Sequence, residues 1–140
     1  MQCVTTVYLS GSGSDWRQEA MAKFHKIAKY DDTKICVVNP TDFVGGEVIT
    51  DRQIKSFLFD KIRQSDIVIC NLRGTEHDPY TASEVQYAVD NHITVLGIRG
   101  EDACSWLEHV DCDAVFGDVE EAVRYVRNFY VASSKPLGGE

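Results

Sequence analysis

Apolar residues recur along this chain in two rhythms. Short runs rich in β-branched residues occur at Val4 to Leu9, Lys34 to Val38, Asp66 to Leu72, Ile93 to Gly97 and Ala114 to Phe116. Between them lie longer stretches in which apolar residues return every three or four positions. The runs read as strands and the stretches as helices. Ala20, Phe24, Ile27 and Ala28 mark the buried face of the first helix, with Asp15 placed to cap it and Gln18 at its third position. Thr50-Asp51-Arg52-Gln53 has the form of a capping box and opens a helix to about Gln64, with Ile54, Phe57, Leu58 and Ile62 as its apolar stripe. Thr81-Ala82-Ser83-Glu84 has the same form after the helix-stopping Asp78-Pro79, followed by Val85, Ala88 and Val89 at helical spacing. A short helix is expected around Cys104 to Glu108, and Asp118 opens the last one, to about Tyr130.

Strands alternating with helices mean a parallel sheet covered on both faces, a three-layer sandwich. Five strands with right-handed crossovers favour the flavodoxin-like, Rossmann-like order 2-1-3-4-5. One domain is expected over residues 1–132, with a loose tail at 133–140 that holds Gly, Ser and Pro and no core residues. In this order strands 1 and 3 are neighbours at the switch point. The loop at Ser10–Ser14 then faces the loop at Leu72–Tyr80 across one crevice, with Glu84 at its floor.

Glu84 has two readings. As the fourth residue of a capping box it reaches back to the Thr81 backbone N–H. As an acid in the first helical turn it gains from the positive end of the helix dipole, which favours an ionised carboxylate fit to act as a nucleophile. Asp78, six residues earlier, lies in the wall of the same site. Two acids near one strand end can divide into nucleophile and substrate-positioning roles. The loop with Gly11 and Ser12 can cradle a phosphate, or can be no more than a turn that needs glycine. It is neither a Walker A loop nor G-x-G-x-x-G. Tyr8 is either a core aromatic or a phenol within hydrogen-bond reach of Glu84. Trp16, expected to be exposed on the first turn of its helix, can stack on a base.

Composition narrows the classes. The chain has 140 residues, 44% of them hydrophobic, as in an ordinary globular domain. Its net charge of -8 argues against a nucleic-acid polymer as partner. The five cysteines are spread out with no C-x-x-C pair, so neither a disulfide framework nor a zinc motif is expected. Cys3, Cys36 and Cys70 lie in apolar runs and are expected to be buried. The four histidines have no ligand spacing. No metal and no cofactor is expected. A reducing, cytoplasmic setting is inferred, and no apolar run is long enough to span a membrane.

Tyr8-Leu9-Ser10-Gly11, the run Asp66 to Leu72, and Asp78-Pro79-Tyr80-Thr81-Ala82-Ser83-Glu84 resemble the nucleoside 2-deoxyribosyltransferase family, over about Val4 to Tyr130. The resemblance implies that Glu84 forms a deoxyribosyl ester, that Asp78 helps hold the sugar, and that Tyr8 contacts the nucleophile. The substrate would be a small nucleoside or nucleotide, and a homo-oligomer, a dimer or larger, would complete each site. Relatives usually have Gly where Tyr80 and Gln86 stand. They carry an acid for the base's proton where this chain has Leu58. Asp60 lies two residues on, about 200° round the helix. Either the helix has shifted register to present Asp60, or another acid such as Asp51 substitutes, or the proton step is weakened. A sibling branch hydrolyses 2′-deoxynucleoside 5′-monophosphates and usually has Ser at the Asp78 position. Asp78 tilts the reading toward unphosphorylated nucleosides, and the Gly/Ser loop tilts it toward the monophosphate. A third reading is a binding or sensing module without turnover.

Overall fold

The computed structural model describes residues 4–11, 13–43, 50–72, 79–99 and 111–131. Its elements run β1 (Val4–Ser10), α1 (Ser14–Tyr30), β2 (Lys34–Val38), a 3-10 turn (Pro40–Phe43), α2 (Asp51–Arg63), β3 (Ile67–Asn71), α3 (Pro79–Asp90), β4 (Thr94–Ile98), β5 (Ala114–Phe116) and α4 (Val119–Val126). A π-helical turn, Arg127–Val131, continues α4. The five strands form one parallel sheet in the order β2-β1-β3-β4-β5. The order expected from the alternating pattern is the order found. The expected short helix near Cys104 and the tail at 133–140 lie outside the described residues.

Burial follows from this order. β3, in the middle, is buried at every position, whereas the edge strand β2 is buried only at Val38. Cys36 therefore faces solvent, contrary to the expectation from its apolar run, because an edge strand has an open flank. Cys70 is buried as expected, and Cys3 lies outside the described residues.

Side chains alternate between the two faces of a strand. Val7, Leu9, Ile67, Ile69, Leu96 and Ile98 pack with Ala20 and Phe24 of α1 and with Val119, Ala122, Val123 and Val126 of α4. Tyr8, Val68, Cys70 and Val95 face the other way and pack with Ile62 of α2 and Val85 and Ala88 of α3. Tyr8 is thereby committed to the α2–α3 side.

The helix starts correct two expectations. α1 begins at Ser14 with Gly13 as N-cap and no side-chain cap, so Asp15 lies inside the first turn. α3 begins at Pro79, whose missing N–H costs nothing in the first turn. Thr81 is then the third helical residue and is not the cap. The capping box of Thr50 and Gln53 forms as expected, and Asp118 accepts a hydrogen bond from the Glu121 N–H. Among the described residues no helix is long and apolar enough to cross a membrane.

Candidate active site

The site lies where β1 and β3 end side by side. Tyr8 and Ser10 are two apart on β1, so both side chains leave the sheet on the α3 side. Thr81, Glu84, Val85 and Ala88 share the inward face of α3 at i, i+3, i+4 and i+7. Thr81, Val85 and Ala88 are buried on that face, and Glu84, near its upper end, is half-buried. These two faces meet at one carboxylate. The Tyr8 phenol donates to Glu84 Oε2, and the Ser10 hydroxyl donates to Oε1 at 2.8 Å. Glu84 thus turns to the sheet, away from the start of its own helix. It is the sixth residue of α3, so it lies beyond the turn in which the helix dipole is felt strongly. Hydroxyl donors, not the dipole, orient this carboxylate. A carboxylate oxygen has more than one lone pair, so accepting a hydrogen bond does not by itself bar it from attacking an electrophilic carbon.

Tyr8 is fully buried, 0% exposed. Burial, then the charge of Glu84, then the hydrogen bond to it hold the phenol far above the usual tyrosine range, and the charge of Arg17 opposes this. The phenol is therefore held in its donor form beyond the pH at which a free tyrosine ionises.

Arg17 is 8% exposed and reaches the site from α1. Its Nη1 donates to the Gly11 carbonyl, and its Nε is buried with no hydrogen-bond partner among the described residues. Gly11 holds the loop down on β3. Its φ is +111°, and a Cβ there would come within 2.7 Å of the Asn71 carbonyl oxygen, so no other residue fits without movement.

A crevice of about 340 Å³ opens over these groups. Gly11, Arg17 and Pro40 line one side. Thr81, Ser83, Glu84 and Tyr80 of α3 and Ile54, Lys55, Leu58 and Phe59 of α2 line the rest. Tyr80 is 71% exposed at its rim.

The structure places Gly11, Tyr80 and Glu84 around one crevice, with Tyr8 beneath it on Glu84. Ser12 and Asp78 lie outside the described residues, as does the side chain of Asp51. Trp16 is not exposed as expected. It is half-buried against the cluster of Val7, Leu9 and Phe24, on the far face of the sheet, because α1 starts one residue earlier than its expected cap. Asp60 does not turn to the crevice. It pairs with Arg63 at 2.7 Å, its side chain 58% exposed, while Leu58 takes the crevice position. Asp60→Asn should accordingly leave base release within about twofold of the wild type. It should shift stability by less than about 1 kcal/mol, as for other exposed pairs. A kinetic assay beside a thermal melt checks both.

Two further residues at the site are marked by a weaker signal in the sequence. Ser10 is two positions after Tyr8, the strand period. Arg17 stands on the same α1 stripe as Ala20 and Phe24, and a cation on an apolar stripe is either paired or functional. Among the described residues no group of three or more His, Cys, Asp or Glu side chains is placed to hold a metal ion.

No family model and no curated protein matches the chain. Solved structures do. A conserved protein from Enterococcus faecalis V583 is similar over 90% of this chain and 99% of its own, at 16% identity and a TM-score of 0.65. A 2-desoxiribosyltransferase from Leishmania mexicana matches over 90% of this chain and 99% of its own, at 21% identity and a TM-score of 0.62. The CMP N-glycosidase BcmB of Clostridium botulinum matches over 89% and 99%, at 14% identity and a TM-score of 0.58. At such identities the likeness establishes architecture: the chain has the α/β fold of these proteins over nearly its whole length.

Proposed function

We propose that this chain is a member of the nucleoside 2-deoxyribosyltransferase family and breaks the N-glycosidic bond of 2′-deoxynucleosides. The observation that carries the reading is the Glu84 carboxylate, held on both oxygens by Tyr8 and Ser10 beside a crevice of nucleoside size. The likeness in fold to a deoxyribosyltransferase and to a nucleotide N-glycosidase supports it.

In the first step a Glu84 oxygen attacks C1′ of the sugar. The C1′–O ester bond forms and the C1′–N bond breaks. The base leaves with the electron pair and takes up a proton. In the second step another base, or water, attacks C1′ from the opposite face, loses a proton and frees the carboxylate. Two displacements retain the sugar's configuration. Asp78 is assigned to the sugar in this reading.

A second reading, hydrolysis of 2′-deoxynucleoside 5′-monophosphates, is favoured by Arg17. A buried guanidinium with an unpartnered N–H beside the crevice is suited to an anionic substrate group. One assay separates the readings. The protein is incubated with deoxyadenosine and cytosine, and separately with deoxynucleoside monophosphates, and bases are followed by chromatography. Deoxycytidine and adenine are expected from the first mixture. Free base from the monophosphate alone supports the hydrolase, and binding without turnover contradicts both.

A further inference from the structure

Breaking an N-glycosidic bond needs something to receive the charge that builds on the departing base. Glu84 cannot serve, since it attacks the sugar. Arg17 is held to the Gly11 carbonyl on the β1 side of the crevice. The opposite wall, made by α2, is apolar at Ile54, Leu58 and Phe59, and among its described side chains Lys55, one turn before Leu58, is the charged one. Its ammonium lies over the Phe59 ring, 5.3 Å from the centroid, and that ring is stacked on Tyr87 of α3 at 4.4 Å. Lys55 is solvent-exposed, and the aromatic pair biases its ammonium toward the crevice wall that Leu58 and Phe59 make apolar.

Resting on the function proposed above, we infer that Lys55 is a further catalytic residue, the acid that protonates the leaving base. As the Glu84 ester forms, the C1′–N electron pair passes to the base nitrogen and a Lys55 proton follows it. The neutral amine regains a proton from water. Tyr80, across the crevice, is an uncharged phenol and lacks the electrostatic part of this effect.

The test is a comparison of leaving groups in the wild type and Lys55→Met. 7-Methyl-2′-deoxyguanosine releases a base that needs no proton, whereas 2′-deoxyguanosine releases one that does. 5-Fluoro-2′-deoxyuridine and 2′-deoxyuridine form the corresponding pyrimidine pair, graded by how well the base departs. General acid catalysis contributes about 10²–10⁴-fold. Lys55→Met should therefore lose about 100-fold in kcat/KM on the substrate with the poorer leaving group, and at least about tenfold less on its partner. Lys55→Arg keeps the charge but holds its proton, so it should recover no more than the electrostatic part of the loss. Equal loss on both members of a pair, or no loss, would overturn the assignment. A loss confined to KM for 5′-phosphorylated substrates would place Lys55 on the phosphate instead and overturn it too. A wild type that releases no base from any of the four would overturn the function itself, an outcome distinct from the others.

Discussion

Glu84→Gln is expected to yield a folded protein that no longer releases or exchanges bases. The amide has the size of the carboxylate, and the Tyr8 and Ser10 hydroxyls can each donate to it or accept from it. One hydroxyl must rotate to accept from the new NH2 group. That rearrangement costs about 1 kcal/mol, a shift of a few degrees in Tm. The chemical loss is of another order. An amide oxygen does not form a stable ester with C1′, and deleting a nucleophile lowers kcat by about 10⁴-fold or more. Base release measured by chromatography, beside a thermal melt, separates the two effects. Near-normal turnover in Glu84→Gln would make this residue structural only.

Tyr8→Phe has a large effect of a different kind, on both activity and the pH dependence of stability. Near neutral pH it strips one donor from a half-buried carboxylate, which costs about 1–3 kcal/mol. It also loosens Glu84, and a misplaced nucleophile lowers kcat by up to about 100-fold. The alkaline behaviour follows from burial and the Glu84 charge, which hold the folded-state phenol above its unfolded value. Above about pH 10 the unfolded chain loses this proton while the folded chain keeps it. Unfolding then releases a proton, and rising pH removes stability at about 1.4 kcal/mol per pH unit from this group. Tyr8→Phe lacks that loss. The stability gap between wild type and variant should therefore close as pH rises from 9 to 11. Urea titrations at several pH values read it directly, and a gap that stays constant would mean that Tyr8 ionises as freely in the fold as out of it.

The sheet order and the place of Glu84 were legible because each rests on a repeating signal. Alternating strands and helices leave few topologies, and a helix that follows a buried strand starts at the carboxyl end of the sheet. What escaped was finer than the period. The T-x-x-E pattern at Thr81 marks a helix start without fixing which residue begins it, and Pro79 begins it earlier, turning Glu84 from its own N-terminus toward β1. On α2 the stripe Ile54, Leu58, Ile62 can be completed on one flank by Phe57 or on the other by Phe59. Hydrophobicity does not choose between them. Tyr87 does, by stacking on Phe59 and leaving Phe57 42% exposed beneath Lys61. Ser10 has the sequence surroundings of a loop, with serine and glycine after it, yet it closes β1. Arg17 was hidden because its role depends on a tertiary approach across the β1–α1 loop. Asp60 could replace an acid at Leu58 only if α2 shifted register, and it does not: Leu58 lines the crevice. Two residues turn a helix by about 200°, and the side chain went to Arg63.

The proposed double displacement requires a covalent bond between Glu84 and the sugar. A 2′-fluoro-arabinosyl nucleoside should trap it, because fluorine destabilises the oxocarbenium-like transition state of the second step and leaves the ester to accumulate. After digestion with pepsin, mass spectrometry should find the fluorinated sugar on the peptide that spans Asp78 to Tyr87, with fragment ions placing it on Glu84. The label should be absent from Glu84→Gln. Label on another acid, or no label from a protein that turns over its substrates, would contradict the account and make direct attack by water the better description.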